Sequence, residues 1–148
     1  MTVEQDREVS WRNYEEWLAE VPENIWQDSL WNFETYCFAL FLADLVWFDS
    51  LKLLDDPRGR GIAWQMVDSG GSVSANIEEG FGRGFGKDYA RFLRIALGSA
   101  KETRGWYFRG RHVFTPDVLE HRINLLNKII AGLVTTAAQQ RSYNKPTS

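Results

Sequence analysis

At 148 residues, with 44% hydrophobic and 25% charged side chains, the chain has the size and composition of one globular domain, which excludes wholesale disorder. The formal charge of −3 excludes a uniformly basic protein but conceals a polarity: residues 1–56 hold 13 acids and three bases, whereas residues 57–148 hold seven acids and 14 bases. The acidic opening Met1-Thr2-Val3-Glu4-Gln5-Asp6 argues against a targeting segment, and the longest apolar tract, Tyr36 to Phe48, is interrupted by Asp44 and too short to span a bilayer. A cytoplasmic protein is expected, with no membrane contact.

The first feature in chain order is a short arm over 1–24, in which Trp11, Tyr14, Trp17 and Leu18 line one side of a helix that ends before Pro22. It packs on its own domain or docks a partner. A long helix is then predicted from about Trp26 to Leu54. It is apolar on almost every side through Tyr36-Cys37-Phe38-Ala39-Leu40-Phe41-Leu42-Ala43, which implies burial on more than one face and hence a subunit interface. A second helix, about Ile62 to Glu79, places Ala63, Met66, Val67, Gly70, Val73, Ser74 and Ile77 on one stripe. Its middle, Ser69-Gly70-Gly71-Ser72, has poor helix propensity and small side chains that let another backbone approach.

The run Gly80-Phe81-Gly82-Arg83-Gly84-Phe85-Gly86 reads as a helix-to-helix turn. It is not a dinucleotide loop, because no strand precedes it, and Asp88 after Gly86-Lys87 breaks the Walker pattern. A third helix follows from about Lys87 to Phe108, with Tyr89, Phe92, Ala96, Ala100, Thr103 and Tyr107 inward. The fourth opens at Thr115-Pro116-Asp117, a capping hydroxyl, a first-turn proline and an acid suited to the helix dipole. Leu119, Ile123, Leu126, Ile130, Leu133 and Ala137 form its core stripe. The predicted fold is all-α: an antiparallel up-down-up-down four-helix bundle over 25–141, preceded by the arm and followed by a disordered tail over 142–148.

Two segments carry a family resemblance. Ser72-Val73-Ser74-Ala75-Asn76-Ile77-Glu78-Glu79-Gly80-Phe81-Gly82-Arg83, followed by Arg91-Phe92-Leu93-Arg94-Ile95-Ala96-Leu97-Gly98-Ser99-Ala100-Lys101-Glu102, resembles the signature of the 23S ribosomal RNA intervening-sequence proteins. That family includes the accessory variability determinant of diversity-generating retroelements. The resemblance implies a four-helix bundle assembled as a ring-shaped homopentamer. It also implies nucleic-acid and reverse-transcriptase binding without enzymatic activity. Glu78 stands where the family usually has alanine, and the chain is mildly acidic where the retroelement proteins tend to be basic.

The candidate nucleic-acid-binding residues lie on the third helix. At about 100° per residue, Lys87, Arg91, Arg94 and Lys101 share one face, with Gly98 between them, Arg83 just before and Arg104 extending the patch less regularly. Such a stripe neutralises phosphates, or it is a solvated face, or it pairs with the acidic N-terminal half of the same or a neighbouring subunit. Asn76, Glu79 and Gly80 at the turn, with Ser99 and Glu102 on the next helix, are predicted to be structural: the polar groups brace the turn and satisfy loop amides, and Gly98 lets helices approach. No catalytic set, metal site or cofactor is expected. His112 and His121 lack companions for a zinc site, and Cys37 lacks a base or cation to activate it.

These observations predict a non-catalytic oligomeric adaptor for structured RNA or a reverse transcriptase, the alternative being a protein-interaction scaffold that recognises partners through its Trp-rich arm and first helix.

Overall fold

A computed structural model describes residues 10–144, whose regular elements are all helices. The arm forms α1, Tyr14–Glu20, capped by Asn13, whose side chain accepts from the Glu16 amide at 2.9 Å. A single turn, α2, follows at Glu23–Trp26, then a 3₁₀ turn at Ser29–Asn32. The long apolar helix, α3, spans Glu34–Leu54, so it begins eight residues later than its apolar pattern suggests. Local chemistry explains the delay: Asp28 caps the 3₁₀ turn by accepting from the Leu30 amide at 2.8 Å, and Phe33 is extended.

Much of the apolar surface of α3 is covered by the chain's own arm. Tyr14 sits 4.7 Å from Phe38 and 5.4 Å from Phe41, centroid to centroid, and Trp11 lies 5.5 Å from Phe41. Trp17 is buried, and its indole N–H donates to Asp44 at 2.7 Å, which explains the acid interrupting the apolar tract. A subunit interface is therefore not needed to bury this side of α3. The large side chains left outside are Trp47, 63% exposed, with Leu54 nearby on the helix.

The other long helices are α4 (Arg60–Gly82), α5 (Lys87–Arg109) and α6 (Pro116–Arg141). Helix α3 packs on α4 and α6, and α5 packs on both α4 and α6, forming a helical bundle. Contacts join the start of one helix to the end of the next: the Tyr36 hydroxyl donates to Glu78 at 2.6 Å, and the Gly86 amide, at the cap of α5, donates to Gln140 at 2.9 Å. Phe41, Leu42, Met66, Val73, Ile77, Leu93, Leu126, Ile129 and Leu133 fill the centre. Removing one such leucine costs about 2–5 kcal/mol.

Glycines on the long helices admit neighbouring side chains. A Cβ at Gly70 would lie 2.9 Å from Val46, one at Gly80 2.6 Å from the Phe92 Cβ, and one at Gly132 would collide with Thr35. The approach at Gly70 is thus by a side chain, not a backbone. Gly98 faces open space, which corrects its expected role in helix approach.

Cys37 is buried, its Sγ donates to the Trp31 carbonyl at 3.2 Å, and burial pushes its thiol up to about 11. It is accordingly expected to resist alkylation in the native protein and to react on unfolding. A mass shift after native treatment with iodoacetamide at pH 8 would contradict this.

Candidate nucleic-acid interface

The turn before α5 is built from Gly84 and Gly86, which adopt φ of 84° and 114°, conformations that side chains disfavour. Gly80 and Gly82, expected in this turn, belong to the last turn of α4. The Gly86 amide is satisfied by Gln140 from the end of α6 at 2.9 Å, so the turn is tied to α6 rather than braced by the signature residues. Of those residues Ser99 bonds across to α4, and the other polar ones bond locally. Asn76 donates to the Ser72 carbonyl at 2.8 Å and to its hydroxyl, Glu79 pairs with Arg83 at the cap of α4, and Glu102 accepts from the Trp106 indole at 3.3 Å, each four residues away along the chain.

What joins α4 to α5 is a ladder of small hydroxyls. Ser99 donates to Ser72 at 3.1 Å, and the buried Thr103 donates to Ser69 at 2.8 Å. Both serines come from the glycine-serine segment that looked weak as a helix. In a helix interface the same side chains are short enough to let the helices meet and polar enough to fix their register.

With the turn and register set, Lys87, Arg91, Arg94 and Lys101 all face solvent along roughly 20 Å of α5. Among the described residues Lys87, Arg94 and Lys101 make no ion pair. Arg91 lies 3.6 Å from Asp88, with its guanidinium 4.6 Å from the Phe92 ring centroid. Arg83 pairs with Glu79 at 3.0 Å and also rests over the Phe92 ring, 5.3 Å from its centroid. These two partners are local; the acidic N-terminal half does not neutralise the stripe within one chain. Several of its described acids are engaged elsewhere: Glu16 binds Arg12, Asp44 binds Trp17, and Asp49 binds Arg122. Arg104 differs from the others, being half-buried and turned to Asn127.

One cation was not visible in the stripe. Arg141, at the end of α6, joins Lys87, Arg91 and Arg94 around an open groove of about 520 Å³ whose apolar floor is Ala90 and Ile95. Its distance in sequence hid it. The only pointer was the charge of a residue placed at the end of a helix predicted to lie beside α5.

The profile of the 23S rRNA-intervening sequence protein family matches residues 38–134, nearly two thirds of the chain. The chain belongs to that family. The 23S rRNA-intervening sequence match covers α4, α5 and most of α3 and α6, and leaves out the aromatic arm. A crystal structure of a protein of unknown function from the S23 ribosomal protein family, from Bacteroides thetaiotaomicron, is similar at a TM-score of 0.62 and 25% identity, covering 68% of this chain and 95% of that one. No curated protein matches. Among the described residues no group of His, Cys, Asp or Glu is arranged to hold a metal ion, and no helix is long and apolar enough to cross a membrane.

Proposed function

We propose that this chain is a non-catalytic oligomeric adaptor that binds structured RNA through the outward face of α5. The observation that carries the reading is the solvent-facing row Lys87, Arg91, Arg94 and Lys101, three of whose cations make no ion pair among the described residues. A row of unneutralised cations on one rigid helix releases counterions when it meets a phosphate backbone. The intervening-sequence family name adds a link to ribosomal RNA.

In this reading α3 to α6 form an antiparallel up-down-up-down four-helix bundle, supported by the start-to-end contacts between successive helices. Five copies close into a cytoplasmic ring, which repeats the basic row five times. The resemblance to retroelement accessory proteins extends the adaptor role to a reverse transcriptase bound by the same ring. A scaffold reading without nucleic acid draws on different residues. Its support is the exposure of Trp47 and of Trp64, 74% exposed on α4, apolar surface suited to a neighbouring subunit or a protein partner.

Charge reversal separates the two. Arg91→Glu with Arg94→Glu is expected to weaken binding of a structured RNA about tenfold or more and to flatten its salt dependence, with the oligomer unchanged by light scattering. Dissociation of the oligomer by the same pair would favour the scaffold reading, and wild-type protein indifferent to RNA at low salt would refute the adaptor.

A further inference from the structure

Two exposed aromatic rings lie within two residues, along the chain, of cations that line the groove. Phe85, in the turn before α5, is 51% exposed and Tyr143, just beyond α6, is 40% exposed; their centroids are 5.9 Å apart at an interplanar angle of 63°. Neither ring is loose. Phe85 also contacts Phe81 at 6.1 Å and Tyr89 at 6.4 Å, and the Gln140 bond to the Gly86 amide holds the end of α6 against the turn. Each ring is two residues from a groove cation, Phe85 from Lys87 and Tyr143 from Arg141.

We infer that the groove is a site for an unpaired stretch of RNA, whose phosphates lie along Lys87, Arg91, Arg94 and Arg141 and whose base stacks on the Phe85–Tyr143 pair. This rests on the RNA reading and narrows its ligand. The argument is one of matching surfaces. An A-form duplex offers phosphates and 2′-hydroxyls while its bases stay stacked inside, so it satisfies the cations and leaves the aromatic rings and the Ala90–Ile95 floor unused. A single strand offers both: a backbone for the cations and free π-faces for exposed rings. Ile95, 43% exposed in the middle of a basic helix face, is then covered by a base or a ribose. Phe85 and Tyr143 cost the free protein exposed apolar area, and stacking covers that area.

The test uses the full chain and two labelled RNAs of equal length, an unstructured pyrimidine 12-mer and a blunt 12-base-pair duplex, with binding read by fluorescence anisotropy. The wild type is expected to prefer the single strand. Phe85→Leu with Tyr143→Leu, which keeps apolar bulk but removes both π-faces, is expected to weaken single-strand binding ten- to a hundredfold and leave duplex binding within twofold. Arg94→Glu with Arg141→Glu is expected to weaken both. Equal affinity for the two RNAs, or a leucine pair that binds the single strand like wild type, overturns the stacking site and leaves the adaptor reading standing. Failure of the wild type to bind either RNA overturns both.

Discussion

Replacing Arg122 by leucine is expected to destabilise the protein by about 3–5 kcal/mol, the cost of leaving a buried carboxylate without its cation. The carboxylate is Asp49, 7% exposed on α3. It accepts from Arg122 Nε at 2.7 Å and Nη2 at 3.2 Å, and from the fully buried Tyr107 hydroxyl at 2.7 Å. One acid thus ties α3 to α5 and α6, with both of its oxygens engaged. Arg122 Nη1 in turn donates to His121 Nδ1 at 2.7 Å, and burial together with the Arg122 charge holds that imidazole below its usual range. Burial, and then the Asp49 charge, pushes the Tyr107 phenol well above its ordinary value, so the phenol stays a donor at every physiological pH. With arginine removed, Asp49 keeps a single neutral partner in a site closed to water. For a chain of this length the loss lowers the melting temperature by roughly 6–20 °C. The double variant Asp49→Leu with Arg122→Leu is expected to recover most of it, since no uncompensated charge remains. Urea unfolding followed by circular dichroism measures both. A single variant within 1 kcal/mol of wild type would mean that Asp49 is hydrated in solution.

The arrangement explains which features were legible in the sequence. Helix α5 was read almost to the residue because glycines punctuate both of its ends, Gly84 and Gly86 before and Gly110 after. The opening of α6 was equally clear, since Thr115 caps the Val118 amide at 3.3 Å and Pro116 fills the first position. The solvent-facing row on α5 followed from helical spacing alone. Features set by contacts distant in sequence were not legible. Spacing identified Thr103 as inward and the signature marked Ser99 as structural, but neither showed that they would meet Ser69 and Ser72. The bracing assigned to Glu79 and Glu102 went to those hydroxyls instead. Arg122 reads as an ordinary charge on an amphipathic helix until Asp49 is brought beside it. Arg141 was read only as the last residue of the bundle and Tyr143 fell where a frayed tail was expected, yet the first lines the groove and the second packs on Phe85.

Glycine gives the sharpest instance, and it yields an expectation opposite in sign for two residues of the same signature. Gly80→Val is expected to destabilise the protein by about 3 kcal/mol, whereas Gly98→Ala is expected to stabilise it by up to about 1 kcal/mol. A Cβ at Gly80 would meet the Phe92 Cβ at 2.6 Å, the Tyr89 ring at 2.9 Å and the Tyr89 carbonyl at 3.3 Å. The first and last of these belong to atoms fixed to the backbone of α5, so relief requires α4 and α5 to separate. At Gly98 a new Cβ meets nothing within 4 Å, the backbone is helical, and alanine removes the entropic penalty of glycine in a helix interior. The functional consequences also diverge. Gly80 seats the first turn of α5, and Phe92, on whose ring Arg83 and Arg91 rest, moves with it. Gly80→Val is therefore expected to weaken RNA binding even in the fraction that stays folded. Gly98 lies among the cations Arg94 and Lys101, so a methyl there that raises stability while lowering RNA affinity would mean that the phosphate backbone approaches α5 closely at that point. Unchanged affinity would confine the contact to the groove end, around Lys87, Arg91 and Arg141.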